Sequence, residues 1–437
     1  MVRLSDLPDE LLLTILSLLP IEVAVSTSVL SKRWKFLWMS LPKLEYSTRN
    51  HPDSAALGEF IYKHLSLHRA PAIESLRLDL SPHINPEDIK RWVRIAVSHN
   101  VRELNITYDS DNGNIFPGSF YTCNSLVVLE LGYVTLMDVP SSVCLPSLKT
   151  MELECLVYAN QESLQRLLSI CPVLEELSVR LGGAGDINMR KFSIVVPSLR
   201  SLSLLMFDLW WLNAYVIDTP SLEYFKLGDR INMEHYSEFN MPKLREAYVD
   251  APFLDLNGLI TSITSVKRLT LCSVHEYGEG FVLKHLEHLK LCECKNDSLD
   301  NLGELLKGSP TLRVLDICVL KDHDNHGLDE YSGFWNQPSR VPECLLSSLQ
   351  ILNWSRYFGR PHDRKIAVYI LRNACRLKTA TFFADRGYYV SNLEMIKELT
   401  LSSRASSTCE LVFVEDDRES ESESESESES ESESESE

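Results

Sequence analysis

No run of about eighteen apolar residues occurs in the 437-residue chain, so no membrane-spanning helix is expected. The first residues, MVRLSDLPDELLL, place Asp6, Asp9 and Glu10 where a secretory leader carries basic residues, and Pro8 interrupts the remainder. No leader is expected. The signatures G-x-x-x-x-G-K-[ST], H-E-x-x-H and G-x-S-x-G are missing, and no residue stands out as a nucleophile paired with a base. A non-catalytic protein is therefore expected. Positive charge is also in short supply, with 43 Lys and Arg against 62 Asp and Glu and a net charge of −19. Ten of the carboxylates belong to an uninterrupted Glu-Ser alternation from Glu419 to Glu437, and the remainder carries −9. That balance is poorly suited to a phosphate backbone, so neither nucleic acid nor membrane is expected as a partner.

The eleven cysteines are an odd number scattered mostly through apolar segments, which suits a reducing compartment, the nucleus and/or the cytoplasm. Sequons at Asn105, Asn296 and Asn353 are read as chance in a chain without a leader.

What the chain does have is a repeat. IESLRL, VRELNI, LVVLEL, LKTMEL, LEELSV, LRSLSL, LEYFKL, LREAYV, VKRLTL, LEHLKL and LRVLDI all carry apolar residues at their first, fourth and sixth positions. They begin at Ile73, Val101, Leu126, Leu148, Leu174, Leu199, Leu222, Leu244, Val266, Leu286 and Leu312, and no interval is shorter than 20 or longer than 28 residues. The alternating half of the motif reads as a short strand with one buried face. Pro146, Pro172, Pro197, Pro220, Pro242 and Pro310 stand just before six of them, where proline ends a helix and imposes extended backbone. This pattern resembles the leucine-rich repeat. The resemblance implies a solenoid: a curved parallel sheet with helical or irregular convex connections, such as a short helix in Glu162–Pro172. Cys294 fills the turn slot that commonly holds Asn or Cys.

LQILNW at Leu349 and LKTATF at Leu377 extend the series. Around them, VPECL (Val341–Leu345), Trp354 and Tyr357 with Gly359, and YILRNACRLK (Tyr369–Lys378) resemble the FBD domain that closes a large family of plant F-box/leucine-rich-repeat proteins. A helix is expected from Ile366 to Leu371, preceded by Arg364-Lys365 where acidic residues would fit better.

Leu4 to Tyr46 read LSDLPDELLLTILSLLPIEVAVSTSVLSKRWKFLWMSLPKLEY. Pro8 suits a helix start and Asp9 and Glu10 complement its positive end. Seven of the nine residues from Leu11 to Leu19 are apolar, too many for one contact stripe. A second helix is expected from Glu22 to Leu30, and Ser31 can cap a third in which Trp34 and Trp38 share a face. Three helices in about forty residues cannot bury all these groups among themselves, so the surplus is expected to face another protein. The segment resembles an F-box through Leu7-Pro8, ELL-x-x-IL-S-x-LP and S-x-LSKRW-x-x-LW. The resemblance implies binding to a SKP-type adaptor, and through it a cullin, by Leu7, Pro8, Ile15, Leu16, Leu19, Leu30, Trp34 and Trp38. Core packing and interface both stay open for Trp38.

The expected fold is thus α/β: a three-helix F-box (1–48), a leucine-rich-repeat solenoid (49–333), a modified FBD end (334–414) and an acidic Glu/Ser tail (415–437). The expected role is that of a substrate-recognition subunit of an SCF-type ubiquitin ligase, with an unknown protein substrate on the repeats. A non-catalytic scaffold or recognition protein, or a small-molecule-dependent receptor, are the alternatives. Trp210 and Trp211 are weak candidates for substrate contact. No cofactor or metal is expected: Cys292 and Cys294 form C-x-C near His285 and His288, but strand alternation assigns them to core and turn, and KDHDNHGLDE (Lys321–Glu330) reads as a solvated loop. The tail has too little apolar content to fold. Deleting Glu419–Glu437 should therefore leave the melting temperature within a few degrees of the full chain's; a larger fall, by differential scanning fluorimetry, would mean that the tail packs.

Overall fold

The computed structural model describes residues 7–48, 54–109, 114–136, 139–140, 142–158, 162–182, 191–207, 214–229, 236–251, 257–273, 280–294, 299–320, 323, 335, 337–384, 397 and 399–415. The chain forms two compact units, residues 1–244 with 253–262 and residues 245–252 with 263–437.

In the first unit, eight strands follow one another in chain order, each parallel to the next: Lys43–Ser47, Ser75–Leu80, Glu103–Tyr108, Val128–Gly132, Thr150–Glu154, Glu176–Leu181, Ser201–Met206 and Tyr224–Asp229. In the second, the order is Glu246–Asp250, Arg268–Cys272, His288–Cys292, Val314–Cys318, Ile351–Tyr357, Thr379–Ala384 and Glu410–Glu415. All thirteen expected strands are present, each starting two residues into its motif. Pairing joins equivalent repeat positions. Leu76, Leu104, Leu129, Met151, Leu177, Leu202 and Phe225 form one continuous buried row across the first unit.

The prolines act at the turn before the strand. In six repeats the residue before proline accepts a hydrogen bond from the motif's first residue three positions on: Leu145 from Leu148, Cys171 from Leu174, Val196 from Leu199, Thr219 from Leu222, Met241 from Leu244 and Ser309 from Leu312. Proline thus sits at the second position of a β-turn, where its fixed φ is already correct.

Between the strands, helix Pro86–Ser98 starts on the Asn85 side chain, which accepts from the Glu87 N–H at 3.0 Å, and buries Ile89, Trp92, Val93 and Ala96 along one stripe. It packs on helix Ser54–Ser66. The expected short helix is there as Ser163–Ser169. Other connections form a second three-stranded parallel ladder from Lys191–Val195, Ala214–Asp218 and Tyr236–Asn240.

The end of the second unit differs from its expected detail. Its helix runs Pro361–Asn373, so Arg364 and Lys365 lie inside it, and the acidic residue of the first turn is Asp363. Asp363 accepts from the Arg360 backbone N–H at 3.0 Å, closing the helix start, and pairs with the Arg360 guanidinium. The same guanidinium pairs with Glu293, which also accepts from Trp354 Nε1 at 2.9 Å. Glu293, Asp363 and Trp354 are all buried, and Trp354 packs against Tyr357 and Phe382. Trp354, one of the residues that mark this block in the sequence, is thus part of a buried charge network. Arg360→Ala would leave two buried carboxylates without their cation, at a cost of about 3–5 kcal/mol. The full chain's melting temperature should drop by several degrees, and an unchanged value would show the network to be dispensable.

Two buried histidines set a pH dependence in the first unit. Burial, with the charge of His68, lowers His64 to about 4; burial, with the charge of His99, lowers His68 to about 4. His64 bonds the buried Tyr46 hydroxyl, and His68 meets the His99 ring edge-on at 5.3 Å. The unfolded chain, near pKa 6.5, takes up these protons first, so the associated stability is full above about pH 6.5 and is lost as pH falls toward 4. Between pH 7 and pH 5 the loss should be about 2 kcal/mol per histidine. Urea melts at the two pH values check it, and His68→Leu should remove its share of the difference.

Candidate protein-docking surface

The N-terminal module builds from the prolines. Pro8 caps helix Asp9–Leu16 and Pro20 caps helix Ile21–Ser26; 3₁₀ turns follow at Thr27–Val29 and Trp34–Ser40. Hydroxyls finish the helix ends, with Ser17 donating to the Thr14 carbonyl at 2.7 Å and Thr27 to that of Ala24 at 2.6 Å. Arg33 reaches back to Asp9 at 2.5 Å, an exposed pair worth little by itself. The expected third α-helix is a 3₁₀ segment instead. It packs against helix Asp9–Leu16 and buries Trp34, Leu37, Trp38 and Met39. Trp38 donates through Nε1 to the Lys35 carbonyl at 3.0 Å and lies 4.8 Å from the His64 ring.

This packing divides the eight expected docking residues. Leu16 is 0% exposed, Trp34 4% and Trp38 8%. These three are core rather than surface, because a side chain enclosed on all sides has no face left for a partner. For Trp38, where core and interface were both open, the structure shows core packing. Leu7 and Ile15 are half-buried, and Pro8, Leu19 and Leu30 are exposed. Other exposed groups were not singled out: Leu11, Leu18 (80% exposed), Val23, Val29 (87%) and Phe36. Helical spacing carries the signal for the first helix. Leu12 and Leu16, four apart, are buried, so Leu11, Ile15 and Leu18 trace a second stripe on another side. In all, seven large apolar side chains stand exposed between Leu11 and Phe36.

The strands offer a second surface, of different chemistry. Glu45, Arg77, Asn105, Glu130, Glu152, Ser178, Ser203 and Lys226 pair side by side, one per strand, between the buried rows. Asn105 donates to the Glu130 carboxylate within this row. The row is polar and mixed in charge, and none of its residues is set apart from the others. Trp210 and Trp211 lie outside the described residues, as does the loop Lys321–Glu330 apart from His323.

Most of the thiols are withdrawn from solvent. Of the eleven free cysteines, Cys144 and Cys375 are exposed and Cys155 is half-buried; the rest are buried, Cys409 included. Burial pushes the Cys171 and Cys344 thiols up to about 12, so both stay protonated. Among the described residues one group could hold a metal ion: Cys272, Cys292, Cys294 and His323, all in the second unit. His285 and His288 are not part of it; His288 Nε2 faces Asp316 Oδ2 at 2.6 Å.

Comparison with known proteins places these elements. The family model for the F-box domain matches residues 4–46, the model for the leucine-rich repeats of an FBD-associated F-box protein matches residues 89–262, and the FBD model matches residues 337–382. Among similar proteins of Arabidopsis thaliana, FBD-associated F-box protein At5g38590 is 56% identical over 405 residues, covering 91% of this chain and 98% of the relative. FBD-associated F-box protein At4g10400 is 54% identical, covering 94% of this chain and 100% of the relative. F-box/FBD/LRR-repeat protein At4g26340 is 39% identical over 94% of this chain and 100% of its own length. The exposed apolar module, the in-register repeats and the charge-closed end block are thus parts of one shared architecture, and the chain belongs to the family of FBD-associated F-box proteins with leucine-rich repeats.

Proposed function

We propose that the chain is a substrate-recognition subunit of an SCF-type ubiquitin ligase, docking a SKP-type adaptor, and through it a cullin, with its N-terminal module. The observation that carries this reading is the exposure of seven large apolar side chains between Leu11 and Phe36. Each leucine or valine left in water forgoes about 1.5–3 kcal/mol that burial against a partner would recover. The match of residues 4–46 to the F-box domain supports an adaptor as that partner. The polar rows of the strands are the surface on which a protein substrate would lie. In this reading the chain contributes proximity rather than chemistry, holding substrate lysines near a conjugating enzyme that other subunits recruit. The eleven free thiols suit a reducing location, in the nucleus and/or cytoplasm.

Titration of the full chain against purified SKP-type adaptor tests the reading. Leu18→Asp with Val29→Asp should weaken binding more than about a hundredfold, since two buried apolar contacts of this size exceed 2.7 kcal/mol. Their exposure means the fold should survive, as circular dichroism would show. Trp34→Ala behaves differently: it opens a cavity in the module and should act by destabilising it, by about 3–5 kcal/mol. A folded wild-type chain that binds no adaptor would overturn the reading and favour a scaffold that uses the same repeats.

A further inference from the structure

We infer that Cys272, Cys292, Cys294 and His323 form a structural zinc site in the second unit. The repeat itself assembles the ligands. Asp250, Cys272, Cys292 and Cys318 are the last residues of four consecutive strands, so parallel pairing sets them side by side; Asp250 pairs with Cys272 and Cys292 with Cys318. Cys294 lies two residues beyond its strand and turns its sulfur back toward Cys272, at 3.5 Å. His323 comes from the segment after Val314–Cys318, held by its N–H donating to the Leu320 carbonyl at 3.1 Å. Its Nδ1 is 3.3 Å from Cys292 Sγ and 3.9 Å from Cys272 Sγ. All four donor atoms lie within 4.8 Å of one another.

The shorter of these separations match the edges of a coordination shell. With Zn–S near 2.3 Å and Zn–N near 2.0–2.1 Å, a tetrahedron has S···S edges of ~3.8 Å and S···N edges of ~3.5 Å. Three of the six edges, at 3.5, 3.3 and 3.9 Å, fall within a few tenths of an ångström of these. Three thiolates and one imidazole are soft donors, which select zinc over magnesium or calcium. The histidine is also prepared as a ligand. Its Nε2 faces Asp250 Oδ2 at 2.9 Å, so the carboxylate holds the ring proton on Nε2 and leaves the Nδ1 lone pair facing the sulfurs.

The same contacts, taken as Cys292–His323–Asp250, also have the order of a nucleophile, base and orienting acid. Burial decides against that use. Cys272, Cys292 and His323 are buried and Cys294 nearly so, and among the described residues Leu320, Cys318, Tyr248 and Val319 pack around them, leaving little room for a substrate at the sulfurs. Four protein donors without an open position are what a structural zinc requires. The ion would tie two adjacent strands to a segment 51 residues further along the chain.

The test is the metal content of the full chain, purified without chelator and measured by inductively coupled plasma mass spectrometry. About one zinc per chain is expected, falling below about 0.2 in Cys294→Ser and in His323→Ala. Cys318→Ser is the control: Cys318 belongs to the strand-end row but not to the donor set, so its variant should keep the ion. A second measurement does not depend on variants folding. Cobalt(II) added to metal-stripped wild-type chain should give the intense visible absorption of a tetrahedral thiolate site. Wild-type chain that holds no zinc and gives no such absorption overturns the inference. So does an intact-mass measurement showing Cys272 and Cys294 joined as a disulfide, or zinc lost from Cys318→Ser but retained in Cys294→Ser.

Discussion

In-register parallel pairing of short strands is the constraint on which the molecule depends. Each strand supplies only two or three apolar side chains to the buried face, too few to hold it in place alone. Stacked in register, they become rows such as Leu78, Ile106, Leu131, Leu153, Val179, Leu204 and Leu227. A slip of one residue in any strand would turn polar neighbours such as Arg77 or Glu130 into that row and its leucines into water, so register is enforced by burial at every repeat. The proline turns reduce the backbone freedom that each strand must surrender on folding. The same rule that aligns leucines also aligns Asp250 with Cys272 and Cys292 with Cys318. A chemical cluster can therefore arise from residues that are unremarkable within their own repeats.

That explains what could be read from the chain and what could not. Thirteen strands were legible because L-x-x-L-x-L states both period and buried face locally. Among the described residues seven more were not, including the three of the second ladder and strands Lys43–Ser47 and Glu410–Glu415. Leu41, Leu44 and Tyr46 fit the apolar spacing of strand Lys43–Ser47, but they were absorbed into the helical module that precedes them. Strand Glu410–Glu415 has Thr408 where the motif wants an aliphatic first residue, so Leu411 and Phe413 stood without their marker. The metal-ligand cluster was only partly legible: Cys292 and Cys294 stood out as C-x-C, but not as partners of Cys272 and His323. Alternation places a residue on a face of its own strand but says nothing of which distant side chain arrives there, and His323 comes from a loop with no periodic signal.

The N-terminal module shows the limit of composition as a guide. An excess of apolar residues implied that some would stand exposed, as they do, but it did not say which were surplus. The tryptophans, being largest, drew attention as docking groups, and their size is the very reason the module needs them inside: no other side chain there fills as much volume. The smaller Leu18, Val29 and Leu30 are left outside. Periodicity within helix Asp9–Leu16 separates the two sets, while the 3₁₀ segment Trp34–Ser40 offers no comparable rule.

The network of Glu293, Trp354 and Arg360 bears on how the chain is made. Synthesis runs from the N-terminus, so Glu293 leaves the ribosome 67 residues ahead of the arginine that neutralises it. Until Trp354 and Arg360 arrive, the carboxylate has reason to stay in water and the newest strand presents unpaired backbone along its edge. In a chain that stops short of this block, Glu293 would lack both Trp354 and Arg360. The end block thus supplies both the indole donor and the cation that let Glu293 be buried.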